Sequence, residues 1–182
     1  MRIPSTDSGI SARGAEELLA HALELTHDSI DRYRQLRDSV EVHHNQHAAL
    51  VLTRIIELAL EHAATISRQL AAERLPKIAP WELQWRCPGL LSGRQQTGAG
   101  SQCDHQMSPI QVLQLALRHE RCAQEHYLAA LTDATLPEAK QILETIARLQ
   151  AQQIARLEAL RATTAPTQRH REDDLDPPQR PE

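Results

Sequence analysis

Glu120 is the residue in this chain with the strongest claim to chemistry. It falls at the centre of an apolar helical stripe made by Leu113, Ala116, Leu117, Ala123 and Tyr127, and an ionised carboxylate is expensive to bury without a partner. A carboxylate on the inner face of a helical bundle has two uses: it anchors a buried hydrogen-bond network, or it ligates a metal ion. A carboxylate-bridged metal pair inside a bundle needs a Glu from each of two helices and a Glu-x-x-His pair from each of the other two, because carboxylates bridge and neutralise hard cations while imidazoles cap them. In this chain the corresponding inward positions hold Thr26, Glu120, Ala59 with His62, and Gln150 with Gln153. Only Glu120 and His62 are strong ligands. One carboxylate against two multiply charged cations is electrostatically poor, so a di-iron centre is not expected. A single iron held by Glu120 and His62, helped by Gln150 and Gln153, is the reduced alternative. Without metal, the same positions read as a polar core network of Thr26, His62, Glu120, Gln150 and Gln153, with Tyr33 and Tyr127 beside it.

Other groups carry weaker signals. His43, His44 and His47 crowd the segment EVHHNQH, and a four-residue spacing lets His43 and His47 share a helical face and chelate a transition metal at the surface. Cys87, Cys103 and His105 fit no closed zinc-site spacing, and Cys122, on an outer helix face, reads as a free thiol. Trp81 and Trp85 lid the bundle or mark a partner surface. No nucleophile elbow, phosphate loop or nucleotide fingerprint is present in the sequence.

The elements that must position these residues are helices. Apolar residues recur with a 3.6-residue period over residues 12–43 and 46–73, from Pro109 to Leu131, and from about Pro137 to residue 162. Ser108-Pro109-Ile110-Gln111 is a capping-box start with proline at the first helical position, and Thr135-Leu136-Pro137-Glu138 repeats the theme. Residues 74–107 hold Pro76, Pro80 and Pro88 and four of the six glycines, which suits an irregular crossover between two helical hairpins. The expected architecture is an all-α, ferritin-like four-helix bundle over residues 11–162, with residues 1–10 and 163–182 as disordered ends. The halves also repeat. An offset of 94 carries Leu19, Ala22, Leu23 and Tyr33 onto Leu113, Ala116, Leu117 and Tyr127, and an offset of 91 carries Leu52, Ile55, Ala63 and Ile66 onto Leu143, Ile146, Ile154 and Leu157. Duplication of one hairpin explains both.

Composition agrees. The chain has 182 residues, with aromatics at 2%, no Phe and six glycines, a poor recipe for a β-sandwich or barrel. A formal charge of −4 without a basic block gives no footprint for nucleic acid. No apolar run is long enough for a membrane span and the N-terminus has no signal-peptide core. Three widely spaced cysteines read as reduced, which gives a cytoplasmic expectation.

The segments ALRHERCAQEHYLAAL (residues 116–131) and AKQILETIARLQAQQIARLEAL (residues 139–160) resemble the second half of a rubrerythrin-type, ferritin-like domain, in which a Glu is followed seven residues later by a Tyr and then by Glu-x-x-His on the next helix. Glu120 and Tyr127 match; Gln150 and Gln153 depart. The first half resembles the pattern through Tyr33 and His62, with Thr26 and Ala59 departing, and LPKIAPWELQW (residues 75–85) resembles the linker of some two-hairpin members. The resemblance covers about residues 12–162. It implies two irons and peroxidase, oxidase or iron-handling chemistry where the ligands are intact, and most of them are replaced here. Rubrerythrins proper also carry a rubredoxin module with two Cys-x-x-Cys pairs, and this chain has none. The expectation is therefore a non-enzymatic scaffold, assembly or regulatory protein, working as a homo-oligomer or with a protein partner. The alternative is a metal-binding oxidoreductase or iron-handling protein with a reduced site.

Overall fold

Each apolar stripe becomes the buried face of a helix. In the computed structural model, which describes residues 14–70 and 106–172, four helices follow one another: α1 (Ala15–Val42), α2 (Gln46–Gln69), α3 (Pro109–Asp133) and α4 (Pro137–Glu172). Leu18, Leu19, Ala22, Leu23, Ile30, Tyr33, Leu36 and Val40 on α1 are buried, as are Leu52, Ile55, Ala59, Ala63 and Ile66 on α2. Leu113, Leu117, Leu143, Ile146 and Leu157 are the matching buried residues of α3 and α4. A buried Leu or Ile contributes about 1.5–3 kcal/mol each relative to exposure, so these stripes hold the bundle together.

The caps fix where the chain turns. The capping box at Ser108 forms as expected: Ser108 Oγ accepts from the Gln111 backbone N–H and Gln111 Oε1 accepts from the Ser108 N–H at 2.7 Å. Between α1 and α2 the backbone closes a Schellman motif, in which the Asn45 N–H reaches the Val40 carbonyl and the His44 N–H the Glu41 carbonyl, both at 2.9 Å. The left-handed position usual for glycine in that motif is taken by His44, with φ of 59°. Asn45 then caps α2 through Oδ1, and its Nδ2 donates to the Met107 carbonyl at 2.9 Å.

That last bond sets the topology. It places the beginnings of α2 and α3 at the same end of the bundle. Within each hairpin α1 packs extensively on α2, and α3 on α4. Cross-pairs between hairpins (Tyr33 with Glu120, Arg148 with Gln69, Arg156 with Glu61) run in antiparallel order. The order is up-down-down-up, so the connection from α2 to α3 must return along the bundle, a span of roughly 36 Å for a helix the length of α2. Two apolar clusters fill the interior. One surrounds Val40, Leu52, Ile55, Leu113 and Leu157, and the other surrounds Leu18, Leu19, Tyr127, Leu143 and Ile146. Thr26, Ser29, His62, His119, Glu120, Gln150 and Gln153, all buried, form a polar waist between them.

The ends need one adjustment. Helix α4 continues to Glu172, ten residues past the expected boundary of the domain, with the Thr163 and Thr164 hydroxyls bonded back to the Leu160 carbonyl. A stretch of polar residues carries no apolar period, so periodicity alone stops the helix early. The expected crossover with Trp81 and Trp85, the expected tail at 1–10, and residues 173–182 of the expected 163–182 tail lie outside the described residues. Among the described residues no helix is long and apolar enough to cross a membrane.

Candidate functional site

At the polar waist Glu120 of α3 accepts from two helices. The Tyr33 hydroxyl of α1 donates to Oε1 at 3.1 Å, and the Gln150 amide of α4 donates to Oε2 at 2.6 Å. Gln150 Nε2 also donates to the Glu120 backbone carbonyl at 3.0 Å. Both protons of that amide are thereby used, which turns its oxygen toward His62 of α2, with Nε2 at 3.0 Å. Because the amide oxygen can only accept, the His62 Nε2 must carry the hydrogen, and the tautomer is set by the network. One amide therefore clasps a carboxylate on one hairpin to an imidazole on the other.

The electrostatics follow from burial. Removal from water pushes the Glu120 carboxyl above its ordinary range, and the hydrogen bonds from Gln150 and Tyr33 oppose that rise. Burial likewise lowers His62 to about 4, a little offset by its bond to Gln150, so the imidazole is neutral near pH 7. The Tyr33 phenol is pushed well above its usual value by burial and then by the neighbouring Glu120. Tyr127 is raised for the same two reasons, against the hydrogen bond with Thr26. This makes the duplication visible: Tyr33 reaches Glu120, and its counterpart Tyr127 reaches Thr26, the counterpart of Glu120. The Thr26 hydroxyl donates to the Ala22 carbonyl at 2.9 Å.

All seven expected core positions are buried, and six are joined in hydrogen bonds. The exception is Gln153, only 2% exposed, whose Oε1 and Nε2 both lack a hydrogen-bond partner in the structure. The surface histidines do not share a helical face. His43 caps α1 and His47 sits in the first turn of α2, because the left-handed residue His44 breaks the helix between them. Among the described residues no group of three or more His, Cys, Asp or Glu is arranged to hold a metal ion. Cys122 is disulfide-bonded, with its partner outside the described residues, where a free thiol is expected; its Sγ also lies 3.7 Å from His126 Nε2.

A second buried pair escapes the sequence reading. His119 and Ser29 join α3 to α1, Nδ1 to Oγ at 3.2 Å. Ser29 gives its one proton to the Leu25 carbonyl at 2.8 Å, so His119 is the donor, through Nδ1–H. Burial, and then the charge of Arg32, lower His119 to about 4, with Asp28 opposing. The edge of its ring meets Tyr33, with centroids 6.3 Å apart. The signal is present in the spacing, since Val112, Ala116, His119 and Ala123 lie on one stripe.

A carboxylate-bridged metal pair does not fit this donor set. The two oxygens of Glu120 already accept from Tyr33 and Gln150, the bonding nitrogen of His62 is protonated, and the remaining slots present a hydroxyl, a methyl and two neutral amides.

No family model matches the chain, and no curated protein matches it in sequence. Among solved structures the chain is similar to an uncharacterized conserved protein from Magnetospirillum magnetotacticum MS-1, with 24% identity and a TM-score of 0.57 over 83% of this chain and 95% of that one. The likeness extends to fold, and that protein's description names no activity.

Proposed function

We propose that this chain is a ferritin-like protein of rubrerythrin type whose ligand positions have been converted into a metal-free polar clasp. Its role on this reading is non-enzymatic, as a scaffold, assembly or regulatory protein. The observation that carries it is the Gln150 amide, which satisfies Glu120 and His62 at once, where a Glu-x-x-His ligand pair would begin. The hydrogen bonds among Tyr33, Glu120, Gln150 and His62 tie all four helices together, which suits a rigid scaffold. Self-association or a protein partner completes the proposal, with exposed Val42, Leu50, Leu60, Leu128 and Leu136 as contact side chains.

The second reading is a metal-binding oxidoreductase or iron-handling protein using Glu120 and His62, and the unpartnered amide of Gln153 is what favours it. Elemental analysis of untagged protein from iron-supplemented cells, beside a Glu120→Ala variant, separates the two. The clasp predicts background metal in both. One metal per chain, lost in the variant, supports the reduced site, and near two irons per chain overturns both readings.

A further inference from the structure

We infer that the polar waist contains an internal hydration site on α4, in which at least one water molecule is held by the Gln153 amide; this rests on the metal-free reading above. Gln153 is buried to 2% exposure, and neither its Oε1 nor its Nε2 finds a protein partner. A buried amide left without hydrogen bonds is rare in folded proteins, and the usual satisfier is ordered water with two to four polar partners. The surroundings supply what such a water needs. The pairs His62 with Gln150 and Glu61 with Arg156 bracket Gln153 along the antiparallel contact between α2 and α4. Gln153 therefore lies against the stretch of α2 around His62, where buried Ala59, about one turn earlier, brings only a methyl group. One turn back on α4, the Gln150 oxygen accepts one hydrogen bond, from His62, and keeps a second lone pair. A water there accepts from Gln153 Nε2 or donates to its Oε1, and donates its other hydrogen to the Gln150 oxygen. The clasp is thereby extended by one helical turn. The ligand class is water rather than a cation, because the inward groups at this turn are neutral amides and a methyl, and the nearby Glu120 carboxylate already accepts from Tyr33 and Gln150.

A high-resolution crystal structure of the full chain, with diffraction data collected on both sides of the iron absorption edge, tests this directly. The expected result is a water-sized peak within about 3.2 Å of a Gln153 amide atom and no anomalous signal. Absence of density beside a well-ordered Gln153 overturns the hydration site and leaves the metal-free reading standing. An anomalous peak overturns both. Denaturant unfolding of Gln153→Met gives an independent check. A hydrated amide predicts stability unchanged or reduced, whereas an unsolvated one predicts an unfolding constant lowered by roughly tenfold, and that gain would contradict the inference.

Discussion

Gln150 is bonded twice to Glu120, to its carboxylate at 2.6 Å and to its backbone carbonyl at 3.0 Å. The two hydrogen bonds fix the amide's orientation, and through it the tautomer of His62. Replacing Gln150 by Glu sets a second carboxylate against Glu120, and two adjacent carboxylates do not both ionise readily. Gln150→Glu should therefore lose stability progressively in urea titrations as pH rises above the ordinary glutamate value of about 4.3 toward the raised folded value. In the same variant His62, facing an acid instead of an amide, should titrate well above its native value of about 4.

Removing the carboxylate strands its donors. Glu120→Ala leaves the Tyr33 hydroxyl and the Gln150 amide without an acceptor and opens a cavity, a loss of roughly 3 kcal/mol or more. Tyr33→Phe removes one donor and should cost about 1–2 kcal/mol. Because the residues touch, the double variant should lose less than the sum of the two, which a double-mutant cycle by chemical denaturation measures.

Acid should loosen the bundle. His62 and His119 are neutral in the fold down to about pH 4, whereas an ordinary imidazole protonates near 6.5. Between those values the unfolded chain binds more protons than the folded one, so stability is complete above about 6.5 and falls as pH drops toward 4. Each histidine contributes up to roughly 3 kcal/mol to that fall. Glu120, with its raised pKa, acts in the opposite sense, since its contribution is present at low pH and declines as pH rises through its folded value. Urea midpoints of the wild type and of His119→Gln across this window should converge at the acid end.

The first hairpin turn stores strain. His44 occupies the left-handed position of the Schellman motif at φ 59°, where a side chain costs about 1–2 kcal/mol relative to glycine. His44→Gly should raise the melting temperature, with a gain on the order of 1 kcal/mol by denaturant unfolding.

Much of the fold is legible in the sequence. Periodicity and the Ser108 capping box place four helices, and the long breakable segment between α2 and α3 follows from α2 and α3 running in the same direction. Glu120 stands out because a carboxylate on an apolar stripe demands a partner. What periodicity cannot supply is which partner: Tyr33 and Gln150 meet Glu120 only through packing between hairpins. His119 is less legible because a lone buried histidine carries no spacing that names Ser29, on the other hairpin, as its partner. His43 and His47 lie on either side of the left-handed His44, so helical spacing does not describe their relation.

Histidine-selective 15N NMR of the full chain, purified from iron-supplemented cells, tests the central claim most directly. If the Gln150 amide holds Glu120 and His62 together, His62 shows a neutral Nε2–H imidazole near pH 7, titrates near pH 4 and is unmoved by added ferrous iron or zinc. A deprotonated Nε2, or paramagnetic broadening of His62 by iron that disappears in Glu120→Gln, would show a metal at that position and contradict the account.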